Sequence, residues 1–177
     1  MQLVAAHTAS YLPSVRQLFE EYAAELQADL DFQGFSHELA ELPGKYAPPR
    51  GALLLAIESA RAGATVGAAG AVPSPVLIEP HGLVTVLGCV ALRPLNAETC
   101  EMKRLYVRPA ARGRGLGRAL AEAIINTGRS AGYRRMWLDT LSRLKPALEL
   151  YRALGFTEIP PYYPNLLPGV LYLGLEL

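Results

Sequence analysis

The sequence predicts an α/β (α+β) domain on a mixed, mostly antiparallel sheet, and three observations support this. Three apolar runs of strand length, 52–57, 83–92 and 101–107, follow one another with only turns or loops between them, which is antiparallel order. The last run feeds a strand–turn–helix–strand unit that reaches Thr140, and its two strands should lie parallel with a right-handed crossover. Helices with one apolar stripe stand before and after these strands and can cover the faces of the sheet. With 177 residues and no repeat or linker, the chain is expected to be a single domain over 1–177.

Residues 2–6 alternate as a short first strand. Ser10 is placed to cap a helix whose first turn tolerates Pro13. Val15, Leu18, Phe19, Tyr22, Ala23, Leu26 and Leu30 then recur at three and four, an amphipathic helix. Ser36 caps a second, short helix to Leu42, which Pro43-Gly44 ends. Residues 48–51 are a turn and 52–57 a strand. The stretch 59–80 is rich in Gly, Ala and Pro, has almost no charge after Arg61, and reads as a loop or an extended hairpin tip. Inside a compact domain a loop of that length is functional or mobile. His81-Gly82 leads to the strand 83–92, and 94–99 turns into the strand 101–107, which Pro109 ends.

Leu116, Leu120, Ala123, Ile124 and Thr127 set the stripe of the crossover helix, stopped by Ser130-Ala131-Gly132. Residues 135–140, with Trp137, form the next strand. Pro146 opens a helix that turns Ala147, Leu150, Tyr151 and Leu154 inward, and Gly155 stops it. A strand at 156–159, a Pro- and Tyr-rich loop at 160–168 and an alternating strand at 170–177 finish the chain.

Composition excludes several classes. Hydrophobic residues are 51% and charged residues 19%, so the chain is neither disordered nor, at net +1, a general polyanion binder. No run can span a bilayer, and the first residues lack a charged segment followed by a long apolar run. Cys89 and Cys100 fall out of register on two arms of one hairpin, so no disulfide is expected. His7, His37 and His81 are scattered, so no metal is expected either. The expected location is cytoplasmic. Charge is uneven along the chain, with seven acids and one base over 1–41, and nine bases and one acid over 103–135. That arrangement suggests an anionic ligand in the middle and either a cationic one or a solvated helix face at the front. No aromatic residues interleave the basic stretch as a base-stacking platform would require, so no nucleic acid is expected.

The chemistry centres on Arg112-Gly113-Arg114-Gly115-Leu116-Gly117, between a strand and a helix. A helix starting there points free N–H groups and its positive dipole end at the turn, and glycine lets a ligand come close to the backbone. The ligand therefore carries phosphate. Neither frame gives G-x-G-x-x-G, since the sixth position is Arg118 or Leu120, and no Gly-Lys-Ser/Thr marks a P-loop. Arg112, Gly115 and Gly117 do meet Gln/Arg-x-x-Gly-x-Gly/Ala, the coenzyme A motif of the GNAT family of N-acetyltransferases. The strand Glu101-Met102-Lys103-Arg104-Leu105-Tyr106-Val107 resembles that family's strand before the motif. Leu148-Glu149-Leu150-Tyr151-Arg152-Ala153-Leu154-Gly155-Phe156 resembles its late L-Y-x-x-x-G-F segment. Both motifs, in order and with the topology, cover nearly the whole chain.

The resemblance implies the acyl-CoA N-acyltransferase fold, with two central parallel strands that splay apart and about four flanking helices. It implies acetyl-CoA as co-substrate and no metal. Pantetheine would pair along Leu105, Tyr106 and Val107. The pyrophosphate would lie on Gly113, Arg114, Gly115, Leu116, Gly117 and Arg118, with Arg112 leading, although Arg114 and Arg118 could equally be surface residues. It also implies direct attack by a primary amine of a small molecule or peptide, with Tyr151 as general acid on the leaving thiolate. Glu101 is a candidate base, and Asp139 another unless it caps the next loop. The alternative class is an acyl-CoA-sensing module without turnover. The acceptor is not readable. Asp29, Asp31 and Glu38 are candidates to attract an amine, with the 59–80 and 160–168 loops as candidate walls, and Tyr162 and Tyr163 either lining the pocket or simply packing. The final strand leaves an edge on which a homodimer could form.

Overall fold

The structure, a computed structural model, describes residues 1–27, 30–31, 34–59, 76–79 and 82–177, with the backbone alone at 76–79, 82 and 83. Strands β1 (Gln2–Ala5), β2 (Ala52–Ser59), β4 (Gly82–Pro94) and β5 (Thr99–Val107) pair antiparallel in that order, and β3 (Val76–Glu79) forms a hairpin with the start of β4. Strand β6 (Arg135–Leu141) lies parallel to β5. Strand β8 (Val170–Glu176) returns antiparallel to β6 and carries β7 (Thr157–Glu158) at the edge. The result is one eight-stranded sheet. Among the described residues four helices flank it: α1 (Leu12–Leu26), α2 (Phe35–Glu41), α3 (Leu116–Ser130) and α4 (Lys145–Ala153). This is the mixed, mostly antiparallel architecture the sequence predicts.

Each face of the sheet has its own core. The stripe Leu116, Leu120 and Ile124 of α3 packs on Met102, Met136 and Leu138. Val15, Leu18 and Phe19 of α1 pack on Leu55, Cys89 and Tyr106 on the other face.

Several boundaries differ from expectation for local reasons. The first helix is capped by Tyr11 rather than Ser10, whose hydroxyl is 3.1 Å from that of Thr8. That helix stops at Leu26, because Gln27 turns left-handed at φ 49°. Leu30 still reaches the cluster of Leu26 and Leu141, so its apolar spacing reflected a shared core and not a continuing helix. In α2 the cap position is Gly34, and Ser36 lies inside the helix. Asp31 accepts both the Ser36 N–H (3.2 Å) and the Ser36 hydroxyl (2.7 Å), and so does the capping expected of serine. Phe156 is buried instead of paired, which leaves a two-residue β7. Of the 59–80 loop, residues 60–75 and 80 lie outside the described residues.

Strand β5 departs from regularity at one point. Cys89 pairs with Tyr106 but Ala91 pairs with Lys103, so β5 carries one residue more than β4 there. Arg104 sits in this bulge at φ 56°. A left-handed arginine costs about 1–2 kcal/mol, so the surroundings must hold it. Glu38 of α2 does so, accepting from Arg104 Nε at 3.0 Å and Nη2 at 2.9 Å, with the Tyr46 hydroxyl adding 2.8 Å. The bulge also shifts the alternation, so that Glu101, Lys103, Arg104 and Tyr106 share the α1 face while Met102, Leu105 and Val107 face α3.

Candidate functional site

β5 and β6 pair only through 99–101 with 135–137, and among the described residues β5 has no strand partner on that side from Met102 onward. The two strands therefore part just past Glu101 and Trp137. A cleft of about 420 Å³ opens where they separate and runs toward the N-terminus of α3. Leu105, Tyr106 and Val107 form one wall. Arg112, Gly113, Gly115, Leu116, Gly117 and Arg118 form the end, and Leu150 and Tyr151 of α4 the opposite wall.

The turn folds as its glycines demand. Gly113 and Gly115 have φ 75° and 76°, and Gly115 is the N-cap residue of α3. A Cβ on Gly115 would meet nothing within 4 Å, so only backbone strain opposes a side chain there. Gly115→Ala is therefore expected to lower stability by about 1–2 kcal/mol, read as a lower urea midpoint with unchanged m. Arg112 donates to the Val107 carbonyl at 2.9 Å and to Glu25 at 2.6 Å. Arg118 is exposed and only loosely paired to Glu122, at 3.3 Å.

Of the ten residues expected to hold the cofactor, Arg114 is the one not on the cleft wall. Its guanidinium reaches Glu58 at 2.6 Å instead.

Tyr151 is where the late motif suggests, across the cleft from Leu105. It is buried against Phe156, with ring centroids 5.8 Å apart, and its hydroxyl has no hydrogen-bond partner among the described residues. Burial, with smaller contributions from Tyr22 and Asp139, pushes its pKa well above the ordinary tyrosine value. Tyr22 of α1 completes the site. It lines the cleft and both small cavities behind it, and burial raises its pKa to about 12.

Those cavities, of about 50 and 20 Å³, adjoin the cleft, sharing Tyr22 and Leu144 with it. Lys103, Arg104, Asp139 and Thr140 line both. Lys103 Nζ donates to Asp139 Oδ1 at 2.9 Å, and Asn165 donates to Asp139 Oδ2 at 3.0 Å. Burial pushes Asp139 up, but Lys103 and the hydrogen bonds more than offset it and hold the carboxyl below its usual range.

Glu101 is fully buried and is not among the residues lining the cleft or these cavities. It is paired with Arg93, accepts the Tyr162 hydroxyl at 2.7 Å, and lies 3.7 Å from Lys103. It reaches the gap only through Lys103.

The acidic front has a structural explanation. Glu21 takes Arg108 at 2.7 Å, Glu25 takes Arg112, and Glu38 takes Arg104, so α1 and α2 dock on the basic strand and turn. Glu38, buried and neutralised, and Asp31, engaged at the start of α2, do not form an open acidic patch. Asp29 lies outside the described residues. From the 160–168 loop, Leu167 lines the smaller cavity and Asn165 bonds Asp139, while Tyr162 and Tyr163 line neither the cleft nor these cavities and Tyr162 bonds Glu101. Among the described residues no group of three His, Cys, Asp or Glu could hold a metal, and both cysteines are free and buried.

Comparison with known proteins agrees with this geometry. A family model described as the acetyltransferase (GNAT) family matches residues 15–156. An uncharacterized N-acetyltransferase of Schizosaccharomyces pombe is 41% identical over 94% of this chain and 88% of its own length. An acetyltransferase from Streptococcus agalactiae shares the fold with a TM-score of 0.68 at 18% identity, covering 99% of this chain and 98% of its own. A GNAT family acetyltransferase from Elizabethkingia anophelis, solved with acetyl-CoA bound, superposes with a TM-score of 0.59 at 18% identity, covering 99% and 97%.

Proposed function

Because the chain belongs to the GNAT family of acetyltransferases, we propose that its cleft binds acetyl-CoA and that the acetyl group passes directly to a primary amine at the parting of β5 and β6. The observation that carries this reading is the single continuous cleft joining the α3 N-terminus, the unpaired side of β5 and the Tyr151 hydroxyl.

The residues fit the ligand. Free N–H groups at Gly115, Leu116 and Gly117 suit the pyrophosphate, with Arg118 free to turn toward it. Pantetheine can take the place of a strand beside Leu105 and Val107, whose unpaired side needs a partner.

The reaction then runs as follows. The neutral nitrogen attacks the thioester carbonyl carbon, forming C–N while C–S breaks. The carbonyl oxygen gains charge next to backbone N–H groups of β5. Tyr151 gives its proton to the departing sulfur, and the proton leaving nitrogen returns to solvent, which re-protonates Tyr151. Burial keeps the Tyr151 hydroxyl protonated, so its donor form is the one present as the thiolate departs. Glu101 acts at one remove, holding Lys103 against Asp139, and Asp139 is the carboxylate that faces the acceptor.

A non-catalytic sensing module would bind acyl-CoA without turnover. Free-thiol release with an amine panel separates the two, and the acetyltransferase reading expects CoA release that depends on the amine. A thermal-shift titration should show acetyl-CoA stabilising the fold by RT ln(1 + [L]/Kd). No stabilisation at millimolar ligand would overturn both readings.

A further inference from the structure

We propose that the acceptor is a free α-amino acid with an apolar side chain, its ammonium on Asp139 and its carboxylate on Lys103. The proposal rests on the acetyltransferase reading and names the substrate class of that same site.

Size is the first argument. The passage beyond the thioester position measures about 50 and 20 Å³, about the share of one or two waters in liquid. It admits the small head of an acceptor and not a folded surface.

Charge is the second. Lys103 and Arg104 supply two cations on the passage wall, Asp139 supplies one anion, and Glu38 neutralises Arg104 from behind. Glu101 is matched by Arg93. The passage therefore holds no surplus carboxylate. A lysine-rich peptide or a polyamine would bring net positive charge into a buried, balanced site and leave it unpaired, which is strongly unfavourable. A zwitterion brings one charge of each sign.

Geometry is the third. Lys103 Nζ and Asp139 Oδ1 lie 2.9 Å apart, a cation and an anion side by side. An ammonium and a carboxylate joined by one carbon can lie across that pair in the opposite sense, making four alternating charges. Asn165 fixes the other oxygen of Asp139, so the carboxylate cannot swing to meet a ligand elsewhere. Tyr22 is also on this wall. Beyond the pair the wall becomes Leu30, Leu141 and Leu167, around a space of about 20 Å³ that a leucine side chain fills only by displacing that wall. The same placement leaves the α-nitrogen toward Leu105 and Tyr151, where, once the ammonium has given a proton to solvent, the neutral nitrogen attacks the thioester.

The test compares leucine, leucinamide, isoamylamine and a lysine-bearing peptide as acceptors for the full chain, by CoA release. Leucine is expected to exceed leucinamide and isoamylamine in kcat/KM by about 10–100-fold, because neither analogue carries the carboxylate that the proposal sets on Lys103. Lys103→Met is expected to bring the leucine-to-isoamylamine ratio toward unity. Should that variant fail to fold, the wild-type comparison decides alone. Equal or faster turnover of isoamylamine or the peptide overturns the proposal, as does no turnover of any α-amino acid. The acetyl-CoA thermal shift, run on the same sample, then tells whether the acetyltransferase reading falls with it.

Discussion

Tyr151→Phe is expected to lower kcat by about 10²–10⁴-fold, the range for loss of a general acid, with the loss falling on kcat more than on KM. The change removes one oxygen from a buried ring that packs on Phe156, so the cleft wall keeps its shape. The hydroxyl has no hydrogen-bond partner among the described residues, so removing it leaves no buried donor or acceptor stranded, and thermal stability should move little. The pH profile supplies a second readout. Because burial raises the Tyr151 pKa, the acid form persists above the ordinary tyrosine range, and its loss cannot bend the rate down at moderately alkaline pH. The wild-type rate should instead rise with pH as the acceptor amine loses its proton, and then stay level. A wild-type rate that falls between pH 8 and the ordinary tyrosine pKa of about 10 would count against the assignment. So would a phenylalanine variant as fast as the parent.

What the sequence disclosed and what it hid divide by distance along the chain. The Arg112–Gly117 turn was legible because its chemistry is local: φ values that need glycine, and helix N–H groups that need an anion. The place of Tyr151 on the cleft wall was legible because a short motif fixes its helix face. Arg104 was not. Its left-handed backbone comes from a bulge defined against β4, and its partner Glu38 lies 66 residues away. Tyr22 read only as one more apolar-face position of α1, although it lines the cleft and both cavities. The acidic front suggested a cationic ligand. In the fold those acids meet the chain's own basic strand, with Glu21 on Arg108 and Glu25 on Arg112, each 87 residues apart. A charge imbalance along a sequence cannot distinguish a ligand from a distant segment of the same chain. Asp139 was placed correctly on its strand, but its role depends on Lys103 and Asn165, which reach it from two other segments.

Glu38→Gln is expected to destabilise the fold by about 3–5 kcal/mol, since it leaves the buried Arg104 charge uncompensated, and so to lower Tm by roughly 6–20 °C for a domain of this size. Side-chain exposures of 2% and 3% put this pair among the buried ones, unlike the half-exposed Arg112–Glu25 pair, which is worth only about 0–1 kcal/mol. The pH dependence has a definite sign. Burial pushes the Glu38 carboxyl up, but the Arg104 hydrogen bonds and charge and the Tyr46 hydrogen bond together hold it below its ordinary value. Its contribution is therefore complete above the unfolded pKa of about 4.3 and is lost as pH falls through the lower folded value. The stability gap between wild type and Glu38→Gln should be wide at neutral pH and close in acid. A gap independent of pH would show that the pair contributes packing only. The double variant Glu38→Met with Arg104→Met should recover much of the loss, because two apolar groups leave no buried charge. Activity adds a consequence that stability alone does not test. Glu38 is not among the residues lining the cleft, yet it anchors the bulge at Arg104, beside Leu105 on the stretch of β5 that has no β6 partner. Glu38→Gln assayed well below its Tm should still lose kcat/KM, because the cleft wall proposed to hold the thioester borders a strand segment held by an ion pair on the opposite face of the sheet.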